Sequence, residues 1–122
     1  MIQIVPGLPP HVAGFRAIGA VTRHDYKKVV YPVVNNVVKA FGKINYLLII
    51  ETTLDNYTVG AWMDDALLGI KYFTRWNKIG IVSGNENVKK FTNTFGILIP
   101  GETKGFLMNE LPLAKEWVSL NV

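Results

Sequence analysis

Residues 44–52 read INYLLIIET, and their reading decides the fold. From Tyr46 to Ile50 no polar residue breaks the run, so the in–out alternation of a half-wet strand is missing. A strand that is apolar throughout is covered on both faces, as in a parallel sheet flanked by helices. Lys78–Ser83, KIGIVS, reads as a second buried strand of the same kind. Met1–Val5 is β-branched and alternating, and His11–Val21 is strand-compatible. The turn between them holds Gly7, Pro9 and Pro10, which predicts an antiparallel hairpin.

Helices fill the gaps. Thr22 and Asp25 have the spacing of a capping box, and Tyr26, Val29, Val30, Val33, Val34, Val37, Val38 and Phe41 recur at helical spacing. Pro32 should kink that helix or divide it, and Gly42 closes it with a left-handed cap. A polar loop over 53–58 leads to a long helix over Val59–Arg75. Asn85 starts a helix to Phe95, Thr103–Met108 is a last strand, and Leu111–Leu120 a closing helix with Pro112 in its first turn. The order ββαβαβαβα predicts one α/β domain over 1–122, with a mixed, mostly parallel sheet and flanking helices.

Composition narrows function by exclusion. The 122 residues are enough for one core and too few for two. With no cysteine there is no thiolate ligand and no Cys nucleophile. No basic leader precedes an apolar segment, and no apolar run approaches the roughly 20 residues of a membrane span. The formal charge of +4 favours acidic partners or anionic head groups, but basic residues come at most in pairs, which reads as scattered solvated lysines. His11 and His24 are isolated, with no zinc spacing, so no metal site is expected. Nucleic acid is not expected as a partner, since aromatic and basic residues do not interleave. Ser83-Gly84-Asn85-Glu86 follows a buried strand, where α/β sheets place ligands, yet one glycine makes no phosphate loop and Asn85 serves as a helix cap.

Thr22-x-x-Asp25-Tyr26, Pro32, INYLLIIE, Gly60-Ala61-Trp62-x-Asp64-Asp65, KIGIVSG and Glu116-Trp117 together resemble the SpoIIAA-like family, over roughly Met1 to Leu120. These are small bacterial STAS-like proteins, also likened to CRAL-TRIO lipid carriers. The resemblance implies a mixed sheet with helices, cytoplasmic location, homodimers, no enzymatic activity and no cofactor. It also implies an apolar or lipid-like ligand and peripheral contact with the inner face of a membrane. Anti-sigma-factor antagonists of the wider group carry a phosphorylatable serine at the start of the helix after the buried strand. Here that stretch, TTLDNYTVG (52–60), has no serine, and Thr58 is the nearest substitute. Thr58 is thus the candidate regulatory residue, with helix capping as its plainer role.

The stretch WMDDALLG (62–69) holds adjacent carboxylates, but a helix turns about 100° per residue, which points them apart. With Trp62 at zero, Asp64 falls at about 200°, on the stripe of Lys71 and Arg75. Asp65 falls at about 300°, among Gly69, Tyr72 and Trp76. A carboxylate buried there needs a partner, either inside the protein or on a ligand. Trp62, Asp65, Gly69 and Tyr72 are therefore the candidate ligand-binding residues, with Asp65 as the polar anchor. A paired acid–base or metal role fails, because the carboxylates diverge and Leu68 stands where a third acid would be needed. The 60–75 helix is apolar over more than half its circumference, so a second subunit, a ligand or a membrane should cover it; closed homodimers are the commonest cover. Two functions follow: a non-enzymatic carrier of a small apolar ligand, and a regulatory module that binds a protein partner and switches near Thr58.

Overall fold

The computed structural model describes residues 1–51, 71–86, 89, 92–93 and 101–120. Five strands, β1 (Ile2–Ile4), β2 (Val12–Ala17), β3 (Ile44–Ile50), β4 (Trp76–Ser83) and β5 (Glu102–Leu107), form one sheet in the order of the chain. β1 pairs antiparallel with β2 in the expected hairpin, and β2 through β5 are parallel. All seven residues of β3 are buried, which is what its unbroken apolar run required. β2 is shorter than the sequence suggested. The chain leaves the ladder after Ala17 and turns at Gly19, whose φ of +60° favours glycine.

Helix α1 starts with Arg23–Asp25, widens into a π-helical turn at Tyr26–Val30, and continues as Tyr31–Phe41. Thr22 and Asp25 close the capping box in both directions, and Gly42 ends the helix at φ +75°. Pro32 does not divide it. The π-turn absorbs the proline: the Tyr31 N–H reaches back five residues to the Tyr26 carbonyl, so the ladder is rearranged before the missing donor arrives. After β5 a 3₁₀ turn at Met108–Glu110 enters α2 (Leu111–Ser119). A second 3₁₀ turn, Phe73–Arg75, enters β4, which begins two residues earlier than its apolar run suggested.

α1, the crossover from β2 to the parallel β3, packs on one face of the sheet. On that face α1 covers Phe15, Tyr46, Leu48 and Ile50. The backbone of Lys89 lies so near Gly105 that a Cβ there would stand 2.7 Å from the Lys89 carbonyl oxygen. α2 packs on the opposite face, over Leu47, Ile49, Val82 and Phe106, with Trp117 against Gly80. Leu8 finishes that face by lying over Gly14.

Both sheet edges have outward N–H groups occupied by side chains. On β5, Gly105 donates to Asn93 Oδ1 at 2.8 Å and Leu107 to Glu110 Oε1 at 2.7 Å. On β1, the Ile2 N–H donates to the Asp25 carboxylate. Edges blunted in this way resist pairing with another chain's strand.

Candidate functional site

The carboxyl ends of the parallel strands are where open α/β sheets gather their functional groups. At this rim Arg16 Nε and Glu51 Oε2 stand 3.4 Å apart, both partly exposed, and the Glu51 N–H extends the ladder to the Ala17 carbonyl at 2.9 Å. At the end of β4 the buried Ser83 hydroxyl accepts the Asn85 N–H at 3.1 Å. The Asn85 carbonyl takes the first helical bond from the Lys89 N–H at 3.4 Å. Gly84, Asn85 and Glu86 are exposed. Next to them Glu110 Oε1 also accepts from Lys89 Nζ at 2.9 Å, clamping the 3₁₀ turn to the helical stretch that passes through Lys89. The Leu107 N–H first, and Lys89 second, hold the Glu110 carboxyl below its ordinary pKa.

The start of α1 shares this rim. Asp25 accepts from the Thr22 N–H at 2.8 Å and the Thr22 hydroxyl at 3.1 Å, and its carboxylate lies 3.7 Å from the Met1 ammonium. Burial by itself raises the Asp25 pKa. The bonds from Thr22 and Ile2 and the ammonium charge outweigh it and leave the group below its ordinary value.

Tyr72 is half-buried, and its hydroxyl donates to Asn35 Oδ1 on α1. It stands before β4, whereas Ser83 ends it, so the span of the strand from Trp76 to Ser83, seven steps of 3.3 Å or roughly 23 Å, separates the two. The structure therefore joins Tyr72 to α1 and not to the Ser83 rim. Trp62, Asp65, Gly69 and the candidate switch Thr58 lie outside the described residues. His24 is an exposed first-turn residue, as its place beside the cap suggested. Among the described residues no three His, Cys, Asp or Glu side chains gather in a way that could hold a metal ion.

Sequence reasoning missed a polar cluster at the opposite rim. His11 is buried and its Nε2–H donates to the Ser119 carbonyl at 2.9 Å. Lys78 is buried too, donating to the Trp117 carbonyl at 3.0 Å with its ammonium 5.2 Å from the Trp117 ring centre. Both cap the carboxyl end of α2, where donors and positive charge are favoured. Asn45 donates to the His11 carbonyl at 3.3 Å, and Asn77 to Asn45 Oδ1 at 2.8 Å. The polar openings of otherwise apolar strands, Asn45 before YLLII and Lys78 before IGIV, were the available signal. Every one of these groups serves the fold.

A family model described as SpoIIAA-like matches residues 12–119, nearly the whole chain. The chain belongs to the SpoIIAA-like family. An uncharacterised protein of the DUF3478 family from Shewanella loihica PV-4, itself with a SpoIIAA-like fold, superposes with a TM-score of 0.70. It is 21% identical, and the match covers 96% of this chain and 93% of that one. No curated protein matches the sequence. Among the described residues no helix is long and apolar enough to cross a membrane.

Proposed function

We propose that this SpoIIAA-like protein is a non-enzymatic regulatory module of the anti-sigma-factor-antagonist type, which binds a protein partner through the carboxyl-end rim of its sheet. The observation that carries this reading is the contrast between the filled space beneath α1 and an open rim. Beneath α1, Phe15, Tyr26, Tyr46 and Trp76 are all buried, and successive rings of Phe15, Tyr46 and Trp76 stand 5.6 and 5.7 Å apart. A lipid-like ligand between α1 and the sheet would have to displace them, at several kcal/mol for the large aromatics. The rim instead presents Glu51, Gly84, Asn85 and Glu86 to solvent. The segment holding Thr58 leaves β3 at that same rim, directly after Glu51. A phosphate on Thr58, which the sequence puts before the helix expected over 59–75, would add charge to the segment that follows the rim.

Capture experiments test this. Immobilised full chain should retain one protein at equal stoichiometry from an extract of its own host. Glu51→Arg and Asn85→Arg should abolish retention, Thr58→Glu should change it, and Leu113→Ser on the outer side of α2 should leave it intact. Retention unaffected by the rim substitutions would overturn the assignment of the surface.

A further inference from the structure

The net charge of the chain is not spread over its surface. Between residues 21 and 43 stand Arg23, Lys27, Lys28, Lys39 and Lys43 against Asp25 alone, a balance of +4 that equals the formal charge of the whole chain. In space these belong to α1 and the turn after it. Lys27, Lys28 and Lys39 are exposed and Lys43 partly so. None of the four makes an ion pair among the described residues, whereas Arg16 pairs with Glu51 and Lys89 with Glu110. The one acid of the helix, Asp25, is occupied by the capping box, the Ile2 N–H and the chain's α-amino group.

Among the described residues nothing offers an internal reason for this arrangement. Lys27 and Lys28 stand in the second turn of α1, toward the end where the helix dipole disfavours cations, and they repel each other. Lys39, near the other end, is the only one the dipole favours. Uncompensated charge placed against the local field is accounted for if the counter-charge comes from outside. Between Lys28 and Lys39 the exposed surface is Pro32 and the amides of Asn35 and Asn36, and Phe41, beside Lys39, is the one large apolar side chain of α1 exposed to water, at 37%. A membrane-inserting surface would carry a row of Trp, Phe or Leu beside its lysines rather than a single Phe at one end. Lys27 and Lys39 are twelve positions apart, about 18 Å along the axis. That exceeds the Debye length of about 8 Å at physiological salt, so two separate anionic clusters are needed to engage both ends.

We infer that the outer face of α1 is a docking surface for an acidic protein, one that presents two carboxylate clusters about three helical turns apart and hydrogen-bonds the amides between them. The inference deepens the interaction-module reading and rests on it for the protein nature of the partner. Its test addresses α1 alone. The ¹⁵N-labelled full chain is titrated with a Glu-rich helical peptide whose acids repeat on one face, and separately sedimented with phosphatidylcholine–phosphatidylserine vesicles at roughly a two-to-one ratio. The expected result is amide shifts confined to residues 22–43, an affinity about tenfold weaker in the Lys27→Glu/Lys28→Glu variant, and an intermediate loss with the Gln pair. Binding should vanish in high salt. Shifts elsewhere, or affinity unchanged in the charge-reversed protein, would overturn the inference. Sedimentation with vesicles while the peptide fails to bind would overturn it in favour of a lipid surface. Either failure leaves capture through Glu51 and Asn85 untouched, so the two readings fall separately.

Discussion

Replacing Gly105 by alanine sets two effects against each other, and the geometry decides between them. Glycine inside a strand costs roughly 0.5–1 kcal/mol relative to alanine, so the substitution starts with that gain. The new Cβ, however, would stand 2.7 Å from the Lys89 carbonyl oxygen and 2.9 Å from its Cα. These are backbone atoms of a helical residue, and they cannot swing aside as the tip of a side chain can. Overpacking of this kind costs about 1–3 kcal/mol, which leaves a net loss of about 1–2 kcal/mol. Unfolding entropy of about 2.1 cal/mol/K per residue over 122 residues makes each kcal/mol worth about 4 °C, so Tm should fall by about 4–8 °C. Differential scanning calorimetry reads this directly. Gly84→Ala is the control: nothing lies within 4 Å of its Cβ, and it should hold or gain up to about 1 kcal/mol. A Gly105→Ala protein that melts at or above the parent would refute the close approach of that helical stretch to β5. The position of Asn85 and Glu86 on the rim depends on the same contact.

Three further outcomes are expected. Lys78→Met keeps the packing over Trp117 but deletes the donor to its carbonyl, and urea denaturation should show a loss of about 1–3 kcal/mol. Ile49→Ala opens a void under α2 and should cost about 2–5 kcal/mol, with the urea m-value unchanged. The third is a pH dependence. Asp25 and Glu110 both have folded pKa values below their ordinary ones, so the folded state binds fewer protons than the unfolded chain in the acid range. Their stabilisation is complete above about pH 4.5 and is lost as pH falls through the folded values. Urea midpoints should decline below that pH, and Asp25→Asn should flatten the decline; an identical slope in the variant would show that Asp25 is not the group responsible.

What could be read from the chain follows the range of the interactions involved. Strand β3 was legible because burial on both faces leaves no polar residue over Tyr46–Ile50. The capping box at Thr22 and Asp25 and the left-handed Gly42 were legible because both devices are local. Pro32 marked a departure from regular helix geometry but not its form: a π-turn takes it up, which depends on how Tyr26 and Val30 pack. The early end of β2 depended on a backbone angle at Gly19. The roles of His11 and Lys78 were not legible, since their acceptors are carbonyls 108 and 39 residues away. The bond from the Tyr72 hydroxyl to Asn35 was not legible either, since its acceptor comes from another helix, 37 residues away.

Native mass spectrometry of the full chain purified gently from its own host tests the central claim most directly. The account predicts a complex of the chain with a second protein, lost in Glu51→Arg, and no lipid-sized mass on the chain itself. A stoichiometric lipid-like adduct that persists through desalting, with no protein partner, would contradict it and return the function to ligand carriage.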